Sequence, residues 1–486
     1  MPTQTEEQTH KAAEHNPPQH PANTGASALL ARFRTVRAAT LNFTAPLSPE
    51  DLMVQSSPEA SPIKWHLAHT SWFFETFVLT PFVPAYKPFH PDFHWLFNSY
   101  YTSLGDMPEK KLRASFSRPP LTEILSFRTH VDRNIEHLLA LNTAPTQASQ
   151  DISAEILRRI SLGLEHEQQH LELIATDIKH ALFTNPLHPA YRIPSSLNES
   201  PTITAPERSE RRVIVSGSSS PEPSLPPAFL PYPGGLTDIG ITPDPSDPAA
   251  FAFDNETPRH TVFLQPYSLA SRLVTAAEYL AFLNDNAYTR PELWLSEGWT
   301  TMRAEGWQAP LYWTRDPDTH SGWSVYTLEG FEPLDAVLNT PVCHISFFEA
   351  DAFARWAGKR LPTEFEWEHA TTIGCGSIAH PTLPTPNLLE SNHLHPVPAN
   401  SCSTLQQTFG DVWEWTASPY TGYPRYRPLP GALGEYNGKF MSSQIILRGG
   451  SCVTPATHIR PTYRNFFPPA TRWQFSGLRL ADDAAH

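Results

Sequence analysis

Apolar residues return at helical spacing through the first part of the chain. Leu29, Leu30, Phe33, Val36 and Leu41 open one such series after Ala26, and positions three and four apart share one helix face. A second helical stretch covers about 62–80, a third about 121–141, and a long fourth about 152–184. Four amphipathic helices in succession predict an all-α four-helix bundle over 26–192. The connection 80–120 is long and rich in aromatic residues. Loops of that length inside a compact domain usually cover functional sites.

The pattern then changes. Residues 193–227 are dense in Pro and Ser and read as an interdomain linker. Beyond them, short apolar runs, tryptophans and Gly-Gly turns alternate with short helices such as 346–357. That grammar predicts a second, loop-rich α+β domain over 228–484. Within it, Trp413 and Trp415 of GDVWEWT read as core, LRGGS (447–451) as a glycine turn, and Thr363 as a helix N-cap. Residues 1–25 are polar, lack apolar periodicity and read as a disordered tail.

Composition narrows the function. A chain of 486 residues with 40% hydrophobic residues can build two or three cored domains. The net charge is −14, without long basic runs, which argues against nucleic-acid and anionic-membrane partners and favours small-molecule chemistry. Four scattered cysteines without a C-x-x-C pair argue against a disulfide scaffold and a cysteine zinc site. The N-terminus lacks an apolar signal region, and no apolar run reaches membrane-spanning length. A cytoplasmic protein is expected.

The strongest local motif is His166-Glu167-Gln168-Gln169-His170. Histidines at i and i+4 lie one turn apart on one helix face and can reach one metal ion. The string also matches H-E-x-x-H, the zinc-peptidase pattern. A second cluster, W-H-L-A-H-T, places His66 and His69 on another helix of the bundle. One of these two would complete a set of three neutral nitrogen donors, and the other would hold a structural hydrogen bond. Three facial histidines leave coordination positions open, as in non-haem iron sites, and suit an anionic ligand such as a thiolate. On ligand type alone, zinc stays open.

With these residues in view, the N-terminal part resembles the DinB-like four-helix domain, through W-H-L-A-H-T and H-E-Q-Q-H. The C-terminal part resembles the formylglycine-generating-enzyme-like (sulfatase-modifying-factor) fold, which is C-type-lectin-like. Its marks are FDNETPRH (253–260), PVCHISFFEADAFARWAGKRLPTEFEWEHA (341–370), GDVWEWT (410–416), LRGGS (447–451) and FSGLRLA (475–481). The pair on one chain resembles the sulfoxide synthases of ergothioneine biosynthesis. The resemblance implies an Fe(II) enzyme that uses O2 to join a thiol sulfur to C2 of the imidazole of hercynine (Nα-trimethylhistidine). It further implies His69, His166 and His170 as iron ligands, with His66 outside the set. Gln169, Asn465 and Phe466 would contact hercynine.

Coupling sulfur to carbon calls for a proton donor, and a phenol suits that role. The string FNSYYTSLGD offers Tyr101 first and Tyr100 second, because the resemblance puts the tyrosines of N-S-Y-Y in the active site. Tyr436 is a third candidate, and plain packing of the loop is the structural alternative for the pair. Enzymes of this kind that use γ-glutamylcysteine carry an acidic residue two positions after the Asn and an Arg four further on. Here those positions are Phe467 and Thr471. A phenyl ring cannot pair with the glutamyl ammonium group, so free cysteine is the expected thiol. Its carboxylate needs a cation, and Arg113 or Arg118 would supply it.

Rival readings are γ-glutamylcysteine as donor, ovothiol-type coupling of cysteine to histidine, and a zinc peptidase. A formylglycine generator and a non-catalytic binding module are further rivals. Ovothiol-type enzymes usually carry a methyltransferase domain, and formylglycine generation needs a close cysteine pair late in the domain, where only Cys452 stands.

Overall fold

The computed structural model describes residues 22–141, 147–192, 225–244, 251–375, 386–400 and 404–483. Helix α1 spans Ala22–Thr44. It therefore begins inside the stretch 1–25 expected as tail, whose first 21 residues lie outside the described ones. Helix α2 spans Ile63–Phe74 and continues into a π-helical turn, Glu75–Leu79. Helix α3 spans Leu121–Leu141, and α4 spans Gln147–Thr184. Together they form the N-terminal helical domain, with α2 packed against α3 and α4, and α1 against α4.

Every residue of α2 is buried, including Lys64, His66 and His69. A helix enclosed on all sides needs cover beyond its bundle neighbours. The connection 80–120 provides it: His94 O accepts from Trp72 Nε1 at 2.7 Å, and Phe97 O bonds His69 Nδ1 at 2.6 Å.

The bundle interior holds an ion cluster. Glu167 of α4 accepts from Arg37 at 2.7 Å, Arg128 at 2.5 Å and Thr40 at 2.9 Å. Breaking a buried pair by removing one partner strands the other charge and typically costs about 3–5 kcal/mol. Glu167→Ala is expected to lose about that much stability in urea titration, and a loss under about 1 kcal/mol would contradict the cluster's role.

The C-terminal domain contains several small sheets joined by long loops. One antiparallel sheet has the order Phe229–Tyr232, Tyr267–Ala270, Ala481–Asp483, so the two ends of the domain pair with the same strand. A four-stranded sheet has the order Asn465–Phe467, Ile445–Arg448, Trp413–Pro419, Ser476–Gly477, its last pair parallel. The helix Phe347–Trp356 is capped by Ser346, and Thr363 caps the helix Glu364–Cys375 by accepting from Glu366 N at 3.2 Å. Gly449 has φ +96°, and a Cβ there would lie 2.6 Å from Thr408 O, so LRGGS is a turn that requires glycine. Most of the expected linker, 193–224, lies outside the described residues.

Helix α4 is the seam between the domains. Glu172 accepts from Trp413 Nε1 at 2.6 Å, Ser451 Oγ at 2.7 Å and Thr454 Oγ1 at 3.0 Å. One turn-pair earlier, Glu165 meets His458 Nδ1 at 2.5 Å and Arg32 at 2.5 Å. Burial alone would raise the Glu165 carboxyl, but His458, Arg460 and Arg32 hold it down to about 2. The two domains therefore meet along the helix that carries His166 and His170.

Candidate metal centre and interdomain cavity

Three histidines converge from two helices. One ring nitrogen each from His69, His166 and His170 can be chosen so that all three lie within 4.8 Å of one another, and all three residues are buried. Burial, then the neighbouring imidazoles, pushes each pKa well below the usual histidine value. The rings are therefore neutral donors at physiological pH, which is the form a metal ion needs.

Hydrogen bonds set which nitrogen each ring offers. Phe97 O accepts from His69 Nδ1, so His69 Nε2 carries a lone pair and sits 3.2 Å from His166 Nε2. His170 Nδ1 faces His66 Nδ1 at 2.7 Å, and His66 Nε2 in turn reaches Asp177 Oδ2 at 3.0 Å. His66 thus stands behind His170, tied to a carboxylate. Such outer partners fix the tautomer and ring orientation of a metal ligand. His166 Nδ1 is buried without a partner. Neutral, close-set imidazole nitrogens fit a divalent cation better than they fit one another.

Glu167 does not join this group. Its carboxylate is committed to Arg37, Arg128 and Thr40. A zinc peptidase needs the Glu of H-E-x-x-H as its general base at the metal, so this geometry speaks against that chemistry. Cys343 and Cys452 are buried thiols, and burial pushes Cys343 up to about 12 and Cys452 well above the usual thiol value. Neither is poised as a thiolate for formylglycine-type chemistry.

Beside the histidines lies a cavity of about 940 Å³ walled by both domains. His66, His166, Gln169, His170 and Asp177 contribute from the helical domain, and Trp413, Tyr436, Tyr463 and residues 464–468 from the other. His69 sits fully enclosed behind this wall, its ring stacked on Trp65 at 4.5 Å. Gln169 Nε2 donates to Tyr463 Oη at 2.6 Å, and the Tyr436 hydroxyl donates to Gln169 Oε1. The amide is therefore fixed across the domain seam. Asn465, Phe466 and Phe467 form the opposite wall, with Phe466 stacked on Tyr420 at 4.0 Å.

The paired tyrosines separate. Tyr100 lines the cavity, whereas Tyr101 is fully enclosed behind it, against Trp72 at 5.5 Å and Phe77 at 5.0 Å. The expected order, Tyr101 before Tyr100, is thus exchanged at the wall, because the side chain of Tyr101 fills the hole beneath the loop. Burial pushes both phenols above the usual tyrosine value.

The two arginines also separate. Arg113 lines the cavity, with Nη1 donating to Ser61 Oγ at 2.9 Å, Nη2 to Ser99 Oγ at 3.2 Å, and its guanidinium 3.4 Å over the Trp65 ring. No carboxylate of a described residue lies within ion-pair distance of it. Burial lowers its pKa to about 9, with Asp177 opposing, so it stays charged at neutral pH. Arg118 is exposed and outside the cavity, which removes it from the expected site.

Sequence reasoning missed Trp65, Glu172 and Asp177. Asp177 follows His170 by seven residues on α4, so the helix stripe that flagged the histidines already contained it.

Residues 216–484 match the family of the sulfatase-modifying factor enzyme 1-like domain, more than half of the chain. The chain belongs to that family. Residues 32–174 match the DinB superfamily. The chain is 29% identical to a protein named hercynine oxygenase from Mycolicibacterium smegmatis over 473 residues, covering 93% of this chain and 97% of that protein. It is 35% identical to a hercynine oxygenase from Mycolicibacterium thermoresistibile, over 48% of this chain and 54% of that protein. A formylglycine-generating enzyme of Thermomonospora curvata is 27% identical over 52% of this chain and 92% of that protein. The two-domain order and the hercynine-oxygenase relatives agree with the family resemblance carried by the sequence motifs. No helix among the described residues is long and apolar enough to cross a membrane.

Proposed function

We propose that this chain is an O2-dependent, non-haem Fe(II) sulfoxide synthase that joins the sulfur of cysteine to C2 of the hercynine imidazole. The observation that carries the reading is the placement of three neutral histidines beside a cavity built jointly by the two domains. The similarity to hercynine oxygenases along nearly the whole chain supports the choice of substrate. The atoms balance without an external reductant: a thiol, an imidazole C–H and O2 give an aryl sulfoxide and water.

His69, His166 and His170 would hold the iron, which would supply the redox chemistry with O2. The chain's own residues do the rest. Gln169 and Asn465, which line the cavity from different domains, position hercynine, and Phe466 packs beside it. Arg113 receives the carboxylate of cysteine, because a buried guanidinium without a carboxylate gains most from an anionic ligand. Phe467, on the wall where a γ-glutamyl group would need an acid, keeps that group out. Tyr100, the member of the pair on the cavity wall, serves as the proton donor. A cytoplasmic location fits thiol and Fe(II) chemistry.

The direct test is anaerobic reconstitution with Fe(II), followed by O2, hercynine and either thiol, with product masses measured. The expected product is the hercynine–cysteine sulfoxide, formed with cysteine in clear preference to γ-glutamylcysteine. Preference for γ-glutamylcysteine would overturn the donor assignment, and peptide cleavage with zinc would overturn the reaction class.

A further inference from the structure

Arg113 is one of two opposite charges on the same side of the cavity. Asp177 lines the same wall and is 7% exposed. Ser61 connects them: its hydroxyl accepts from Arg113 Nη1 at 2.9 Å, while its backbone N–H donates to Asp177 Oδ2 at 2.9 Å. Oδ2 also takes the His66 ring at 3.0 Å. Both of these bonds fall on one oxygen of the carboxylate, and they hold the other in a defined direction. Arg113 and Asp177 do not form an ion pair with each other, although the Asp177 carboxylate acts on the Arg113 guanidinium as an opposing charge. Two opposite, unjoined charges bridged by one serine in a desolvated pocket match the two ends of an α-amino acid.

We propose that Arg113 and Asp177 together cradle the amino-acid end of a zwitterionic thiol, with Asp177 holding its α-ammonium group. The inference rests on the sulfoxide-synthase reading and adds a specificity-determining residue to it. A carboxylate bonded to an ammonium is a charge-assisted contact, whereas one facing a neutral amide or a methylene is left unpaired. In γ-glutamylcysteine the cysteine nitrogen is acylated and carries no charge. Asp177 thus selects for free cysteine by the nitrogen it accepts, in addition to the exclusion of a γ-glutamyl group at Phe467.

Three thiols separate the two charges: cysteine has both ammonium and carboxylate, 3-mercaptopropionate lacks the ammonium, and cysteamine lacks the carboxylate. Their affinities for the full-length, Fe(II)-loaded enzyme are measured anaerobically by calorimetry, without turnover, with iron content determined for each variant. Asp177→Asn is expected to weaken cysteine and cysteamine by about 10–100-fold, the range of one charge-assisted hydrogen bond, and 3-mercaptopropionate by less than about 2-fold. Arg113→Met should give the mirrored pattern, weakening cysteine and 3-mercaptopropionate but sparing cysteamine. Equal loss on all three thiols in Asp177→Asn would mean that Asp177 acts only through His66 on the metal, and would overturn the cradle. No loss on any of them would overturn it as well. Failure of the wild-type enzyme to bind any thiol would instead sink the sulfoxide-synthase reading, and the cradle with it.

Discussion

Replacing His69, His166 or His170 by alanine is expected to abolish Fe(II) binding, while His66→Ala retains the site with affinity lowered by about 10–100-fold. The asymmetry follows from the ring positions. His69, His166 and His170 each have a nitrogen that can meet at one point, and removing any one leaves two neutral donors, too few to hold Fe(II) against water. His66 instead bonds His170 Nδ1 at 2.7 Å and Asp177 at 3.0 Å. Its loss frees the His170 ring to turn but removes no donor to the ion. Anaerobic metal titration with each variant, checked by metal analysis, reads the difference. Loss of binding with His66→Ala and full retention with His69→Ala would reverse the ligand assignment. Folding is monitored in parallel, because α2 is buried along its whole length and a cavity there is costly.

Much of this architecture is legible in the sequence because helical period and motif spacing are local. The stripe His166, Gln169, His170 is written into one α-helix, and the four long helices emerge at nearly the expected places. The capping boxes at Ser346 and Thr363 are likewise short-range patterns. What the sequence hides is set by contacts between distant segments. The order of Tyr100 and Tyr101 depends on which ring the pit beneath the loop accepts, and that pit is made by Trp72 and Phe77 of another element. Arg113 and Arg118 are equivalent by composition. Only the 3.4 Å approach of Arg113 to Trp65, and the serines on either side, set it apart as the buried cation. The commitment of Glu167 to Arg37 and Arg128 is also long-range, and without it H-E-x-x-H reads as a peptidase motif. Trp413 shows the reverse. It is core, as its setting in GDVWEWT suggests, yet its Nε1 and one face belong to the seam and the cavity.

Tyr100→Phe is expected to divert the reaction from sulfoxide to cysteine sulfinic acid. Cysteine and O2 can react with each other alone, the sulfur taking both oxygens, or the sulfur can bond to the imidazole C2 with water as the second product. Only the second course needs a proton delivered as the S–C bond forms. Tyr100 is the member of the pair on the cavity wall, its ring 6.4 Å from Tyr436 and 5.2 Å from Phe440, so the loop is held against the second domain. Burial keeps its phenol protonated across the working pH range, as a proton donor must be. General acid assistance is typically worth about 10²–10⁴-fold, which is enough to decide a branching ratio. The phenylalanine variant loses the hydroxyl and almost no volume, so O2 and cysteine consumption should persist while the product changes. Tyr101, its ring tilted against that of Tyr100 at 4.7 Å and fully enclosed, can supply a proton only by way of its neighbour, so Tyr101→Phe should shift the ratio less. The double variant should shift it most. Product ratios by mass spectrometry decide the matter. A larger shift from Tyr101→Phe than from Tyr100→Phe would restore the order expected from the sequence, and an unchanged ratio in the double variant would remove both phenols from the reaction.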